Sequence, residues 1–274
     1  MKATVRWIAG LVVAAASLWF MASQLHVGAA QLGVRLWQIP VWALFAAAVF
    51  FAASQVMETF IWHRLLRTVP GQSGALSLSD TFAVLNVSAV GKYLPGKVWG
   101  YAWQMFLLDR RGVPPQASLR TNVLTIVAAF ASGALVGALA SLAGGLPLPI
   151  AGVSLLGALA LIAIVPLHER LRLVTRIGAR FGIRLDAASV SRRAWVLTIA
   201  GYCAVWVVYG SGGALLARVL DPSLGVAGSA RVLAGMSLSW LVGMVVIIAP
   251  AGLGVREAAM AFALAGMSGS LGAV

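Results

Sequence analysis

The 274-residue sequence is poor in most of what chemistry at a site requires: one cysteine, three histidines and seven acidic residues. The lone Cys203 lies in an apolar run, so cysteine can supply neither an intrachain disulfide nor a metal cluster. His26, His63 and His168 fall at the ends of apolar segments on both expected faces, too scattered for a catalytic base or a metal set. The carboxylates include no close pair and no DxxD or HExxH spacing, which argues against an intramembrane transferase or hydrolase. Nucleotide-binding motifs are absent, which speaks against ATP as an energy source. No catalytic residue, metal or cofactor is therefore expected, and the chain is read as not an enzyme. Charge of one sign is scarce as well: Lys and Arg number 20, for a formal net charge of +13. The arginines sit in short loops between apolar segments, where the positive-inside rule accounts for them. No basic-aromatic platform accompanies them, so nucleic acid is excluded as a partner.

Apolar residues are abundant instead. They make up 61% of the chain, against about 45–50% in soluble domains, and the mean hydropathy is +0.95. Residues 1–274 read as one transmembrane domain. Residues 5–25 are the first span, about 31 Å of helix; Lys2 and Arg6 precede it, but its length favours an uncleaved anchor over a signal peptide. The second span is 40–62, with Pro40 opening it and Glu58 in its last turns, expected to pair with Arg64 or Arg67 at the interface. Further spans are expected at 122–142, 150–167 and 194–216. The first of these carries a GxxxG at Gly133 and Gly137, a signal for close helix packing. Residues 168–193 form a basic loop in which Arg172, Arg176, Arg180 and Arg184 recur every fourth residue. That pattern suits an amphipathic helix on an anionic leaflet and marks the loop as cytoplasmic. Tracing the sides places the N-terminus in the cytoplasm of a multi-pass protein of the plasma (bacterial inner) membrane.

Two segments break this plain pattern. One spans 231–267, where an apolar run is interrupted by Ala249-Pro250-Ala251-Gly252-Leu253-Gly254-Val255-Arg256-Glu257. Pro250 stops or kinks the arriving helix, and Gly252 and Gly254 permit backbone angles that other residues resist. A helix is expected to restart at Val255 with Arg256 and Glu257 in its first turn. A charge at membrane depth costs about 2.5–3.5 kcal/mol on insertion scales, so a polar break here marks a site. The other segment, 80–108, carries Gly91-Lys92-Tyr93-Leu94-Pro95-Gly96-Lys97. Asp80 is expected to cap a helix over 81–90, too short to cross a bilayer, with a second short helix over 98–108. The pair reads as a re-entrant hairpin opening to the cytoplasm. Trp99, Tyr101, Trp103 and Phe106 suit an aromatic belt.

Matched Gly/Pro interruptions in two halves of a chain point to a transporter-type site. Three spans separate the two breaks, so the second is approached from the opposite face. The expected fold is thus an all-α integral membrane protein, a polytopic bundle with broken, re-entrant helices arranged as an inverted repeat. Helix N-termini favour anions, and Lys92, Lys97 and Arg256 would add full charges. Tyr93, Pro95, Gly96, Pro250, Gly252 and Gly254 shape the same two breaks. Glu257 would orient Arg256, contact a cationic headgroup or pair with another helix.

These two motifs resemble those of the transmembrane domain of lysylphosphatidylglycerol synthases and flippases, with their stand-alone YbhN-like relatives. The second motif is similar to that family's P-x-G-x-G-x-R-E signature, and the first to its N-proximal motif followed by a helix ending Asp109-Arg110-Arg111-Gly112. The resemblance implies movement of polar-headed lipids between leaflets, or support of it. The lipids associated with the family include aminoacyl-phosphatidylglycerol, hopanoids and polyprenyl-linked sugars. The soluble aminoacyl-transferase domain of the fused members is absent, as are the spans that follow the signature in most relatives, so synthase activity is not carried over. The expected partner is an anionic or lipid-linked substrate, with a homo-oligomer or a lipid-pathway protein as further partners. An ion-coupled transporter of small solutes is the main rival, with membrane-embedded Glu58 and Glu257 as its acids.

Overall fold

The computed structural model describes residues 39–70, 72, 74, 76–93, 98–171, 190–246, 252 and 254–265; at 92, 93, 98 and 165–171 the backbone alone is described. The expected first span, and nearly all of the basic loop with its arginine stripe, lie outside these residues.

Every regular element among the described residues is helical. Helix α1 (Val41–Leu66) follows Pro40, which stands as its N-cap and not within its first turn. A short α2 (Leu78–Ser88) runs into a 3-10 turn (Ala89–Tyr93), and α3 (Val98–Asp109) follows. The cap of α2 differs from expectation. Ser77 holds that place, its Oγ accepting from the Asp80 backbone N–H at 3.0 Å, while Asp80 sits in the first turn. The Ser77 hydroxyl in turn donates to Asp80 Oδ2 at 2.6 Å, so the serine and the acid three residues on fix this cap together.

Two long helices, α4 (Pro115–Ala143) and α5 (Leu148–Leu171), form a hairpin through Gly145, whose φ of +69° suits glycine. Ser191 caps α6 (Arg192–Leu220), which turns at Asp221 into α7 (Val226–Val245); α8 (Val255–Leu264) ends the described chain. Four helices, α1, α4, α6 and α7, are long and apolar enough to cross a membrane. At 10 residues α8 is only about 15 Å long and cannot.

The bundle is organised around α4, whose buried face is built from small residues such as Ala128, Ala131, Ser132 and Ala138. A Cβ on Gly133 would lie 2.9 Å from the Trp206 ring of α6, and one on Gly137 would run into Leu238 of α7. The GxxxG therefore seats two different helices, one glycine to each. Trp206 settles its indole by donating to the Ala129 carbonyl at 3.0 Å, so the bulky ring fills the groove with no orphan N–H. Packing partners also fix direction. Thr125 and Gly133 of α4 face Tyr202 and Trp206 of α6, so these two run parallel. Gly201 and Gly212 of α6 meet Ile61 and Phe50 of α1, which runs opposite, as α7 does.

Candidate functional site

At the second break α7 leaves helical geometry at Val246. The chain reverses through Gly252 and Gly254, with φ of +77° and +80°, conformations that glycine adopts without the penalty a side chain would impose. Helix α8 then lies back along α7. Close approach is again made by glycine: Gly235 lies under Met260 and Ala263, and Gly243 under Gly252 and Arg256. A Cβ on Gly243 would collide with the Arg256 stem; one on Gly252 would stand 2.9 Å from the Gly243 backbone and 3.1 Å from Arg256 Cδ. Two facing glycines thus form a slot for one arginine side chain.

The half-buried guanidinium leaves this slot toward α6, where Nη2 donates to the Tyr209 hydroxyl at 3.0 Å. Among the described residues that is its only hydrogen bond, and no carboxylate meets it. Tyr209 is itself held by rings, with Phe51 and Trp206 centroids 5.4 and 6.0 Å away. Glu257 is exposed and makes neither a hydrogen bond nor an ion pair among the described residues. Tyr209, and not Glu257, therefore orients Arg256. At its other end α8 is closed: Arg231 donates from Nε and Nη2 to the Ala263 and Ala265 carbonyls, at 2.6 Å each. The α8 N-terminus shows no such closure among the described residues, because its cap residue is Gly254, which has no side chain to accept from the first turn.

The first break is built differently. Its arms meet backbone to backbone, for a Cβ on Gly91 would lie 2.5–2.9 Å from the main chain of Trp99 and Gly100. Neutral hydrogen bonds tie the hairpin to its neighbours. The His63 ring and the Thr81 hydroxyl are 2.8 Å apart; Trp62 and Gln104 both donate to Asn122 Oδ1, at 2.8 and 3.1 Å. Trp99, Trp103 and Phe106 face outward, as a belt requires, but Tyr101 turns inward. Glu58, half-buried on α1, lies near both the Tyr101 phenol and Tyr202 of α6. Among the described residues, Asn122 Nδ2 is buried without a hydrogen bond, and the buried hydroxyls of Thr125 and Tyr202 face one another without a well-formed one.

Of the residues expected at the site, Gly252 and Arg256 meet at Gly243 of α7, Gly254 caps α8, and Glu257 follows Arg256 but is exposed. Lys92 and Tyr93 lie in the 3-10 turn, with only their backbone described; Pro95, Gly96, Lys97 and Pro250 lie outside the described residues. Helix α6 relates the two breaks. Tyr202 stands beside Glu58 and Tyr101 of the first, and Tyr209 holds Arg256 of the second. About 10 Å of helix rise separates these two tyrosines. Tyr209 and Gly243 are the partners that motif reading missed. A tyrosine within an apolar run, whose hydroxyl needs a partner, was the available signal for the first.

These features define an all-α, multi-pass membrane protein with a broken helix that carries an arginine into its interior. The chain belongs to the family described as Lysylphosphatidylglycerol synthase TM region, whose model matches residues 7–274. It is thus a membrane protein of a lipid-related family. Comparison with curated proteins and with solved structures finds no match.

Proposed function

We propose that the protein moves a polar-headed, anionic lipid between leaflets and holds the headgroup phosphate at the second break. One observation carries this reading: the half-buried Arg256 rests on a neutral phenol at a helix N-terminus capped only by glycine, with no carboxylate partner among the described residues. A cation kept in a bundle without a counter-ion is costly. An anion would meet the guanidinium fork and the first-turn N–H groups of α8 together. The first break carries Lys92 and Lys97 in its motif, and in this reading it supplies the second contact for a phospho- or glycolipid headgroup. The lipid family supports a lipid over a small solute.

The test is leaflet exchange of a labelled anionic lipid in proteoliposomes, read beside thermal stability. Arg256→Ala is expected to stop exchange, with the fold kept because exposed Glu257 is not stranded by the change. Arg256→Lys keeps the charge but loses the planar fork, and should slow exchange roughly tenfold, the worth of about 1.4 kcal/mol. Undiminished exchange by a stable Arg256→Ala protein would refute the assignment. Preference for a soluble anion over the lipid would favour a small-solute transporter instead.

A further inference from the structure

We infer that the crevice between α5 and the α7–α8 pair is a binding site for one acyl chain of a membrane lipid. This purpose rests on the lipid reading of Arg256, although the site can be tested apart from it. Helix α4 packs on both α5 and α7, while α5 and α7 hardly touch one another. The result is a groove with α4 as its floor. Its volume is about 460 Å³, within the roughly 300–1,000 Å³ of ligand pockets. Phe130 forms the floor, Val153 and Gly157 of α5 one wall, and Val242 of α7 with Ala259 and Phe262 of α8 the other. Only Ser154 and Ser239 bring hydroxyl-bearing side chains to the lining.

Size and position select the occupant. Two turns of a helix about 10 Å across fill roughly 850 Å³, nearly twice the crevice, so a helix of a second copy could lie across its mouth but not within it. A methylene chain is thin enough. Position links the crevice to the cation, since Arg256, Ala259 and Ala263 follow one stripe of α8, and the last two line the crevice. A row of rings makes the same connection from below. Tyr209, the partner of Arg256, contacts Trp206; Trp206 contacts Trp240 at 5.1 Å; Trp240 contacts the floor residue Phe130 at 5.8 Å. Along α8 the crevice lining thus begins at Ala259, one helical turn from the Arg256 backbone.

The hydrophobic effect does not drive this binding, because a tail outside the crevice is already in hydrocarbon. What the groove adds is dispersion contact on several sides at once. The site therefore selects and orients a tail, and occupancy is a better readout than affinity. Gly157 offers a clean block: nothing lies within 4 Å of where its Cβ would be, so a larger side chain enters the groove without meeting the fold.

The experiment uses the full chain in nanodiscs doped with phosphatidylglycerol or with diacylglycerol, which lacks the phosphate, each bearing a photoreactive diazirine on an acyl chain. Adducts are mapped by mass spectrometry. The crevice residues Val153, Val242 and Phe262 are expected to be labelled at least threefold more than Val41 and Phe45, which lie exposed on α1. Gly157→Leu, and independently Val153→Phe, should erase that excess and leave the α1 labelling and the melting temperature unchanged. Equal labelling of crevice and α1, or labelling indifferent to both substitutions, would mean ordinary boundary lipid and overturn the proposal. So would crevice adducts replaced by cross-links to a second copy. Headgroup and tail fail separately. If the tail site exists but Arg256 does not bind phosphate, crevice labelling persists equally with both probes and ignores Arg256→Ala. If both hold, the phosphatidylglycerol probe labels more, and Arg256→Ala removes that preference.

Discussion

The two broken segments use the same residue type to opposite ends. At the first, Gly91 and Gly100 let two backbone strands of the hairpin touch, and the glycines consume the space they create. At the second, Gly243 and Gly252 face each other across a gap that an arginine stem fills. Neighbouring polar groups follow the same division. Around the first break neutral donors and acceptors mostly pair among themselves, as in the Trp62–Asn122–Gln104 set; around the second a full charge meets one phenol. Similar motifs therefore serve structure in one place and presentation of a cation in the other.

The largest expected effect attacks the first member of that pair. Gly91→Ala sets a methyl group against the Gly100 and Trp99 main chain, where no rotamer change can relieve it. Overpacking typically costs about 1–3 kcal/mol and more where backbone must move, so loss of about 3 kcal/mol and of folded yield is expected. Detergent melting and yield measure this. A stable Gly91→Ala protein would show that the hairpin arms do not meet as described.

Gly243→Ala is the counterpart, and it should separate stability from function. The new methyl meets the Arg256 stem, a flexible side chain that can swing aside. Stability should fall by about 1 kcal/mol, while exchange should fall nearly as far as in Arg256→Ala, because the slot that aims the guanidinium is gone. Equal losses in the two glycine variants, in both assays, would erase the distinction between the breaks.

Much of this was legible before any coordinates. Apolar runs and their charged ends mark α1, α4, α5 and α6 to within a few residues at most ends, because a membrane span must be long, apolar and self-bonded. Proline and glycine foretell the restart at Val255 and the positive φ of Gly252 and Gly254. Partners were harder. Adjacent motif residues Arg256 and Glu257 suggest each other, yet neighbours in a helix face different ways, and the true partner is 47 positions upstream. Tyr101 was grouped with the outward aromatics by composition. Its place on the inner face of α3 depends on Glu58 and the neighbouring helices, and a sequence window does not contain them. The Ser77 cap was missed because Asp80, also a good capping residue, stands closer to the apolar run.

The smallest effect gives the finest test, because it compares two tyrosines on one helix. Tyr209→Phe deletes the only hydrogen bond of Arg256 among the described residues but keeps the ring contacts with Phe51 and Trp206. Hydrogen bonds to charged groups contribute about 1.5–3 kcal/mol when buried. Here the guanidinium is half-exposed, so a loss of about 1 kcal/mol is expected, with exchange slowed roughly three- to tenfold as Arg256 loses its aim. Tyr202→Phe, two turns earlier beside the first break, deletes a buried hydroxyl that faces the neutral Thr125 hydroxyl without a well-formed hydrogen bond among the described residues. So weak a neutral contact offsets little more than the desolvation of the two hydroxyls. Its loss should change stability by less than about 0.5 kcal/mol, with exchange intact. The melting temperature of Tyr209→Phe should therefore fall while that of Tyr202→Phe stays. A fall of similar size in both would mean that the two breaks treat their phenols alike.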